Sequence, residues 1–244
     1  MHNVPIKLKK EIYKGYSIYY FFDKYKELGK NIIDKKVKTN LILKNTKRNY
    51  VCIIEEKGKS FVFKEPRNEY RIIQRKIMTF FKKGEVLSTL ININNLIEEK
   101  KIENYSRPLL AIVQRKNGMI RYSALVMENI IENKYKEKDV NKIVELMKKI
   151  HSMGIYHGDF NLSNFLVDKK ENIKIIDTQG KKMRFGNYRA HYDMLTMKMD
   201  TYKNMDYPYE KNFFYYIALY LKKIKRTSFI KKIKEIRVKI RDKK

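Results

Sequence analysis

The spacing of apolar residues changes period along this chain, and each change marks an element. Tyr16-Ser17-Ile18-Tyr19 alternates as a strand does, and Asp23 to Leu28 predicts a short helix ending near Gly29. Three strand-like runs follow, Val37–Leu43, Tyr50–Glu55 and Phe61–Lys64, with polar turns between them. Pro66 closes the third. Arg67 to Phe81 predicts an amphipathic helix with Tyr70, Ile73, Ile77 and Phe80/Phe81 along one side. After Gly84, helical spacing resumes from Glu85 to Leu90. Leu109–Gln114 and Ile120–Met127 predict a hairpin around Lys116-Asn117-Gly118. Asp139 reads as the N-cap of a helix carrying Val140, Ile143, Val144, Met147 and Ile150, which ends at Gly154. Phe165-Leu166-Val167 and Ile173 to Ile176 predict a second hairpin, His191 opens another helix, and Phe213–Leu221 reads as a core helix. Strands early and helices late imply an α+β fold.

Composition changes the picture in two places. The single cysteine, Cys52, lies in the apolar run Tyr50 to Ile54; this excludes a disulfide framework and fits a reducing, cytoplasmic setting. The N-terminus shows no basic-then-apolar signal pattern, and the most apolar run, Phe213 to Leu221, is too short to cross a bilayer. The formal charge of +29 attracts polyanions: nucleic acid, anionic lipid or phosphorylated glycans. Abundant Lys, Ile, Asn and Tyr also fit AT-biased coding, so charge alone does not choose among them. From Lys222 to Lys244 there are twelve Lys or Arg against Glu235 and Asp242, with Ile230, Ile233, Ile236 and Ile240 at helical spacing. That tail reads as a solvated terminal helix packed by those isoleucines or as a peripheral attachment to anionic lipid.

The chemistry is concentrated in His157-Gly158-Asp159-Phe160-Asn161-Leu162-Ser163-Asn164 and in Asp177-Thr178-Gln179-Gly180. A His-x-Asp loop with an Asn five residues past the Asp, then an apolar strand and a second Asp, is the phosphotransfer pattern of kinase-like folds. Phosphoryl transfer needs one carboxylate at the acceptor hydroxyl and separate oxygen ligands for Mg²⁺. Asp159 suits the first task, and Asn164 and Asp177 the second. Lys64, ending the third small-lobe strand, matches the Lys that contacts the ATP phosphates; Glu85, with Glu69 second, is the expected acid to hold it. Backbone groups from Val126 to Asn129, Glu128 among them, form the expected hinge and adenine edge. The turn Lys44 to Asn49, where a Gly-rich lid would lie, has no glycine, so Lys47 and Arg48 are expected to assist by charge.

Further features narrow the substrate. Gly158 stands where regulated protein kinases carry Arg, and no long activation segment or Ala-Pro-Glu anchor follows Gly180. Both omissions argue against a phosphorylation-switched peptide kinase. Lys181, Lys182 and Arg184 instead form a basic strip suited to an acceptor bearing phosphate or carboxylate. His157 reads as a residue that packs the loop, and Asp193 as a candidate to accept the loop's backbone N–H groups.

The chain resembles the lipopolysaccharide core heptose(II) kinase family. The stretches that carry this are Lys64-Glu65-Pro66-Arg67, Phe81-Lys82-Lys83-Gly84-Glu85, His157-Gly158-Asp159 to Asn164-Phe165, and Ile176-Asp177-Thr178-Gln179-Gly180-Lys181. The resemblance runs from about Tyr13 to about Leu221. It implies a two-lobed kinase-like fold, with residues 1–128 forming the extension and β-rich lobe and 129–244 the helical lobe. It also implies ATP- and Mg²⁺-dependent phosphorylation of an inner-core heptose at the cytoplasmic face of the inner membrane. The partner would be the polyanionic lipopolysaccharide core, with nucleic acid and an obligate protein partner not expected. An aminoglycoside-type kinase, a small serine kinase linked to tRNA modification, and a polyanion-binding pseudokinase are the competing readings. The basic strip opposes the first, the long section before Lys64 opposes the second, and the presence of Lys64, Asp159, Asn164 and Asp177 opposes the third.

Overall fold

In the computed structural model of the chain, the described residues are 7–130, 132–133 and 137–227. Seven strands make one antiparallel sheet: β1 (Lys9–Tyr13), β2 (Tyr16–Tyr20), β3 (Lys38–Asn45), β4 (Tyr50–Glu56), β5 (Lys59–Glu65), β6 (Pro108–Lys116) and β7 (Met119–Glu128). Their order across the sheet is β1-β2-β6-β7-β5-β4-β3. Side chains alternate between faces along each strand. Ala124 and Val126 pack with Ile18, Cys52, Ile54 and Phe63 on one face, where helix α1 (Lys26–Ile33) adds Leu28. Ala111 and Leu125 face the other way, onto Val86, Leu87 and Leu90 of helix α4 (Glu85–Lys100). Between β5 and α4 lie two short helices, α2 (Asn68–Arg71) and α3 (Ile73–Phe81).

With this sheet belongs a later hairpin. β10 (Phe165–Asp168) and β11 (Ile173–Ile175) follow β8 (Glu132–Asn133) in a small sheet ordered β11-β10-β8. By packing, Met1–Lys134 and Leu166–Gly180 form one compact unit, and Tyr135–Phe165 with Lys181–Lys244 form a second. This division differs from the one expected at residue 128, because the hairpin distant in sequence packs with the first unit.

The second unit is helical. Helix α5 (Glu137–Ser152) buries Val140, Ile143, Met147 and Ile150, and Asp139 lies inside it, not before it as its N-cap. Strand β9 (Ile155–Tyr156) pairs with β12 (Lys181–Lys182), and helices α6 (Tyr188–Thr196) and α7 (Phe213–Arg226) follow. Only a short stretch separates β12 from α6, consistent with the missing activation segment.

Several elements depart from their sequence patterns. The helix expected over 67–81 breaks at Ile72, whose backbone is extended (ψ 115°). The helix from Glu85 runs to Lys100, well past Leu90. Helix α7 is no core helix: it buries Ala218 and Lys222 while Phe213, Tyr216 and Tyr220 stay exposed. Lys222, expected as the start of a solvated tail, is buried, and its ammonium bonds Asp200 (2.6 Å) and the Thr196 hydroxyl (2.9 Å). The isoleucine-bearing part of that tail, residues 228–244, lies outside the described residues.

Candidate active site

In the first unit the site grows out of the sheet. Lys64 on β5 stands opposite Leu125 on β7, so its side chain emerges on the face that α4 covers. A pocket there is lined by Lys64, Glu85, Val86, Leu125, Met127, Asp177 and Gln179, among others. Asp177 follows the β10–β11 hairpin with a left-handed backbone (φ 56°), a conformation few residues other than glycine adopt and one that Asp tolerates. Its carboxylate accepts a hydrogen bond from the Lys64 ammonium.

That pairing differs from the one expected. Among the described residues the ion pair of Lys64 is with Asp177, not with Glu85 or Glu69. Glu85 opens α4 and lines the pocket with Lys64. Glu69 is buried and turned elsewhere: its carboxylate accepts the Glu85 N–H and the Ser123 hydroxyl (2.6 Å). Burial pushes the Glu69 carboxyl above the ordinary glutamate range, and these two donors pull it partly back. Gly84 makes the approach possible. Its φ is +92°, and a Cβ there would meet Ile120 Cδ1 at 2.5 Å and Glu69 Oε1 at 2.8 Å. Gly180 has a comparable role in Asp-Thr-Gln-Gly-Lys, since a Cβ there would meet Leu96 and Ile93 of α4 at 2.7 and 2.9 Å. The adjoining Gln179 carbonyl accepts from Asn92 Nδ2 (3.0 Å), tying this segment to α4.

Two more expected groups are accounted for. The Glu128 N–H is donated to the Arg107 carbonyl (3.0 Å), and its carboxylate accepts the Arg107 N–H (2.8 Å). Neither is therefore open to an adenine edge. The glycine-free turn between β3 and β4 is closed by the Thr46 hydroxyl, which accepts the N–H groups of Arg48 (3.3 Å) and Asn49 (3.1 Å). Arg67 donates to the Thr46 carbonyl (3.2 Å) and Arg71 to that of Lys47 (3.1 Å), so arginine side chains from the following segment hold this turn.

The second unit builds the loop that carries Asp159. Asp193 on α6 is buried, and its two carboxylate oxygens accept the His157 N–H (2.7 Å) and the Gly158 N–H (2.9 Å). The role read for Asp193 in the sequence is therefore realised. The His151 ring completes its environment at 3.2 Å. His157 packs against Phe165 (5.6 Å between centroids), and its Nδ1 accepts the Asp159 N–H (3.3 Å), a structural placement. The Asp159 side chain is exposed. Asn164 is buried and donates its Nδ2 to the Asp159 carbonyl (2.8 Å), which fixes the amide plane and turns Oδ1 away from that contact. Lys181 pairs in register with Tyr156, and Lys182 with Ile155, so the exposed strip begins beside the strand that leads into this loop. Arg184 follows, also exposed.

Asp177 in the first unit and Asn164 in the second each carry an oxygen donor of the kind Mg²⁺ takes. Among the described residues no cluster of three or more His, Cys, Asp or Glu exists that would cage an ion. Mg²⁺ is bound by few protein ligands and takes the rest from phosphate and water.

An antiparallel sheet bearing Lys64, a second Asp after a hairpin, and a His-x-Asp loop supported from a buried Asp define a phosphotransferase of the protein-kinase-like class, with an alcohol as acceptor. Comparison with known proteins adds the relatives that the chain is similar to. Residues 98–206 match the Lipopolysaccharide kinase (Kdo/WaaP) family. That span holds Asp159, Asn164, Asp177 and the basic strip, while Lys64 and Glu85 precede it. The chain is 27% identical over 240 residues to "Lipopolysaccharide core heptose(II) kinase WaaY" of Escherichia coli, covering 91% of this chain and 96% of that protein. It is also 26% identical over 154 residues to "Probable serine/threonine-protein kinase fnkB" of Dictyostelium discoideum, covering 63% of this chain and 27% of that one. "CBL-interacting protein kinase 21" of Oryza sativa matches at 23% over 107 residues, 44% of this chain and 20% of its own length. The resemblance to the heptose(II) kinases read in the sequence is thus borne out.

Proposed function

We propose that this chain transfers the γ-phosphoryl group of ATP to a heptose hydroxyl in the lipopolysaccharide inner core, at the cytoplasmic face of the inner membrane. Asp159 orients the acceptor hydroxyl and takes its proton as the oxygen bonds to phosphorus and the bond to ADP breaks. Lys64 contacts the α- and β-phosphates, with Glu85 in the same pocket as its counter-charge once Asp177 binds metal. Asn164 and Asp177 hold Mg²⁺, which neutralises charge on the phosphates when bound. Backbone groups of 126–129 other than the Glu128 N–H, which Arg107 engages, meet the adenine edge. Lys181, Lys182 and Arg184 engage the anionic groups of the acceptor.

The reading is supported above all by the pairing of β12 with β9. It sets two exposed lysines beside the strand entering the Asp159 loop, where an acceptor rich in phosphate and acidic sugar finds cations. The test is turnover of purified core glycolipid with Mg-ATP. Asp159→Asn should lose at least ~10²-fold in kcat with nucleotide binding retained. Replacing Lys181, Lys182 and Arg184 with Ser should raise the acceptor KM steeply and leave the ATP KM nearly unchanged. Near-normal turnover by the Asp159 variant removes the base role, and an ATP defect in the Ser variant assigns the strip to the nucleotide.

A further inference from the structure

Helix α3 wears its apolar side outward. It buries Thr79, while Ile73, Ile77, Phe80 and Phe81 are 63, 50, 59 and 75% exposed. A helix on a water-soluble surface is normally turned the other way, apolar stripe inward. Poor anchoring does not explain the inversion, because the helix is held firmly by polar contacts. The Thr79 hydroxyl accepts the Ile120 N–H (2.9 Å), and Arg115 donates to the carbonyls of Thr79 (2.7 Å), Lys82 (2.9 Å) and Lys83 (3.3 Å). The outward face is therefore a built surface.

Its charge says what it meets. Between Glu69 and Glu85 there is no acid, and Arg71, Arg75, Lys76, Lys82 and Lys83 flank the apolar stripe. We propose that α3 is an interfacial helix that docks this chain on an anionic bilayer, with Ile73, Ile77, Phe80 and Phe81 entering the headgroup boundary and the basic residues pairing with lipid phosphates. A second copy of the chain would bring the same cations face to face, so self-association is disfavoured. The inference deepens the glycolipid reading and takes its purpose from it, since a lipid-borne acceptor is best met at the membrane surface.

The experiment uses the full chain and vesicles that contain no lipopolysaccharide, so its outcome is independent of the acceptor. Sedimentation with phosphatidylcholine vesicles containing phosphatidylglycerol should recover the wild type, and phosphatidylcholine alone should recover much less. Ile77→Ser with Phe81→Ser should weaken partitioning about 10-fold or more. These side chains are exposed, so the thermal midpoint should hold. The chain has no Trp, so Phe81→Trp supplies a sole tryptophan, excited apart from the tyrosines, whose fluorescence should shift to the blue on anionic vesicles. The proposal is overturned by wild type that stays in the supernatant, by unchanged partitioning of the Ser variant, or by an unshifted emission from the Phe81→Trp variant. It is equally overturned if the Ser substitutions act by dissolving a dimer seen in sedimentation equilibrium.

Discussion

Two buried carboxylates organise the two units, and they do so differently. Asp193 is 1% exposed and spends both oxygens on consecutive backbone N–H groups of the His157–Gly158 turn. Glu69 is 6% exposed and spends one oxygen on the N–H that opens α4 and the other on a side-chain hydroxyl. Backbone donors cannot rotate away, so Asp193 fixes the shape of a loop. A hydroxyl can turn, so Glu69 fixes the start of a helix through one rigid bond and one adjustable one. Each acid positions an element next to a proposed site residue while itself remaining buried.

The largest effect should come from Asp193→Ala. It strands the buried His157 N–H and the part-buried Gly158 N–H and leaves a void; at about 1–3 kcal/mol for a buried unsatisfied group and less for the wetter one, the total loss is roughly 2–4 kcal/mol. Hydrogen exchange should accelerate at the amides of His157 and Gly158, and turnover should fall with the loop. Slow exchange at both amides in the folded variant would mean that the loop is held by something other than Asp193.

Next is Glu69→Ala, expected to cost about 1–3 kcal/mol, because one backbone N–H and one hydroxyl lose their acceptor while a desolvated acid is removed. The sign of its pH dependence follows from the raised carboxyl. The native state holds the Glu69 proton more tightly than the unfolded chain does. This contribution is complete below the unfolded value and is lost as pH rises through the folded one. The stability gap between wild type and variant should therefore be widest in mild acid and narrow toward neutrality. A gap that widens with pH would reverse the assignment.

The contrast also explains what the sequence discloses. The sheet is legible because its strands alternate, and the turn glycines lie between them. Asp193 is legible because it lies on the first helix after the His-x-Asp loop and its hairpin. Glu69 is not, because its acceptor role depends on Ser123, 54 residues away, and on the left-handed backbone at Gly84. The same holds for Lys64, whose partner Asp177 is 113 residues distant. Strand β1 escapes notice because Lys9–Tyr13 is a mostly exposed edge with no apolar period. Helix α4 is cut short in the reading because Ile91-Asn92-Ile93-Asn94 alternates like a strand. Asn94 is satisfied inside the helix by a local bond from its amide to the Leu90 carbonyl (2.9 Å) and a tertiary one to that of Pro108 (2.8 Å).

The smallest effect, and the sharpest test of the contrast, is Ser123→Ala. The hydroxyl donates to Glu69 Oε2 at 2.6 Å from a fully buried position on β7. Removing it takes one donor from a desolvated carboxylate and leaves the backbone bond to Glu85 in place. The cost should be about 1 kcal/mol, the net worth of one hydrogen bond. Because the hydroxyl is one of the groups holding the Glu69 carboxyl down, its loss should push that carboxyl higher still. The decline of stability with pH should then extend to higher pH than in wild type. Exchange at the Glu85 amide should change little, and exchange at His157 and Gly158 not at all. Rapid exchange at Glu85 in this variant would show that the adjustable bond, and not the rigid one, secures the start of α4.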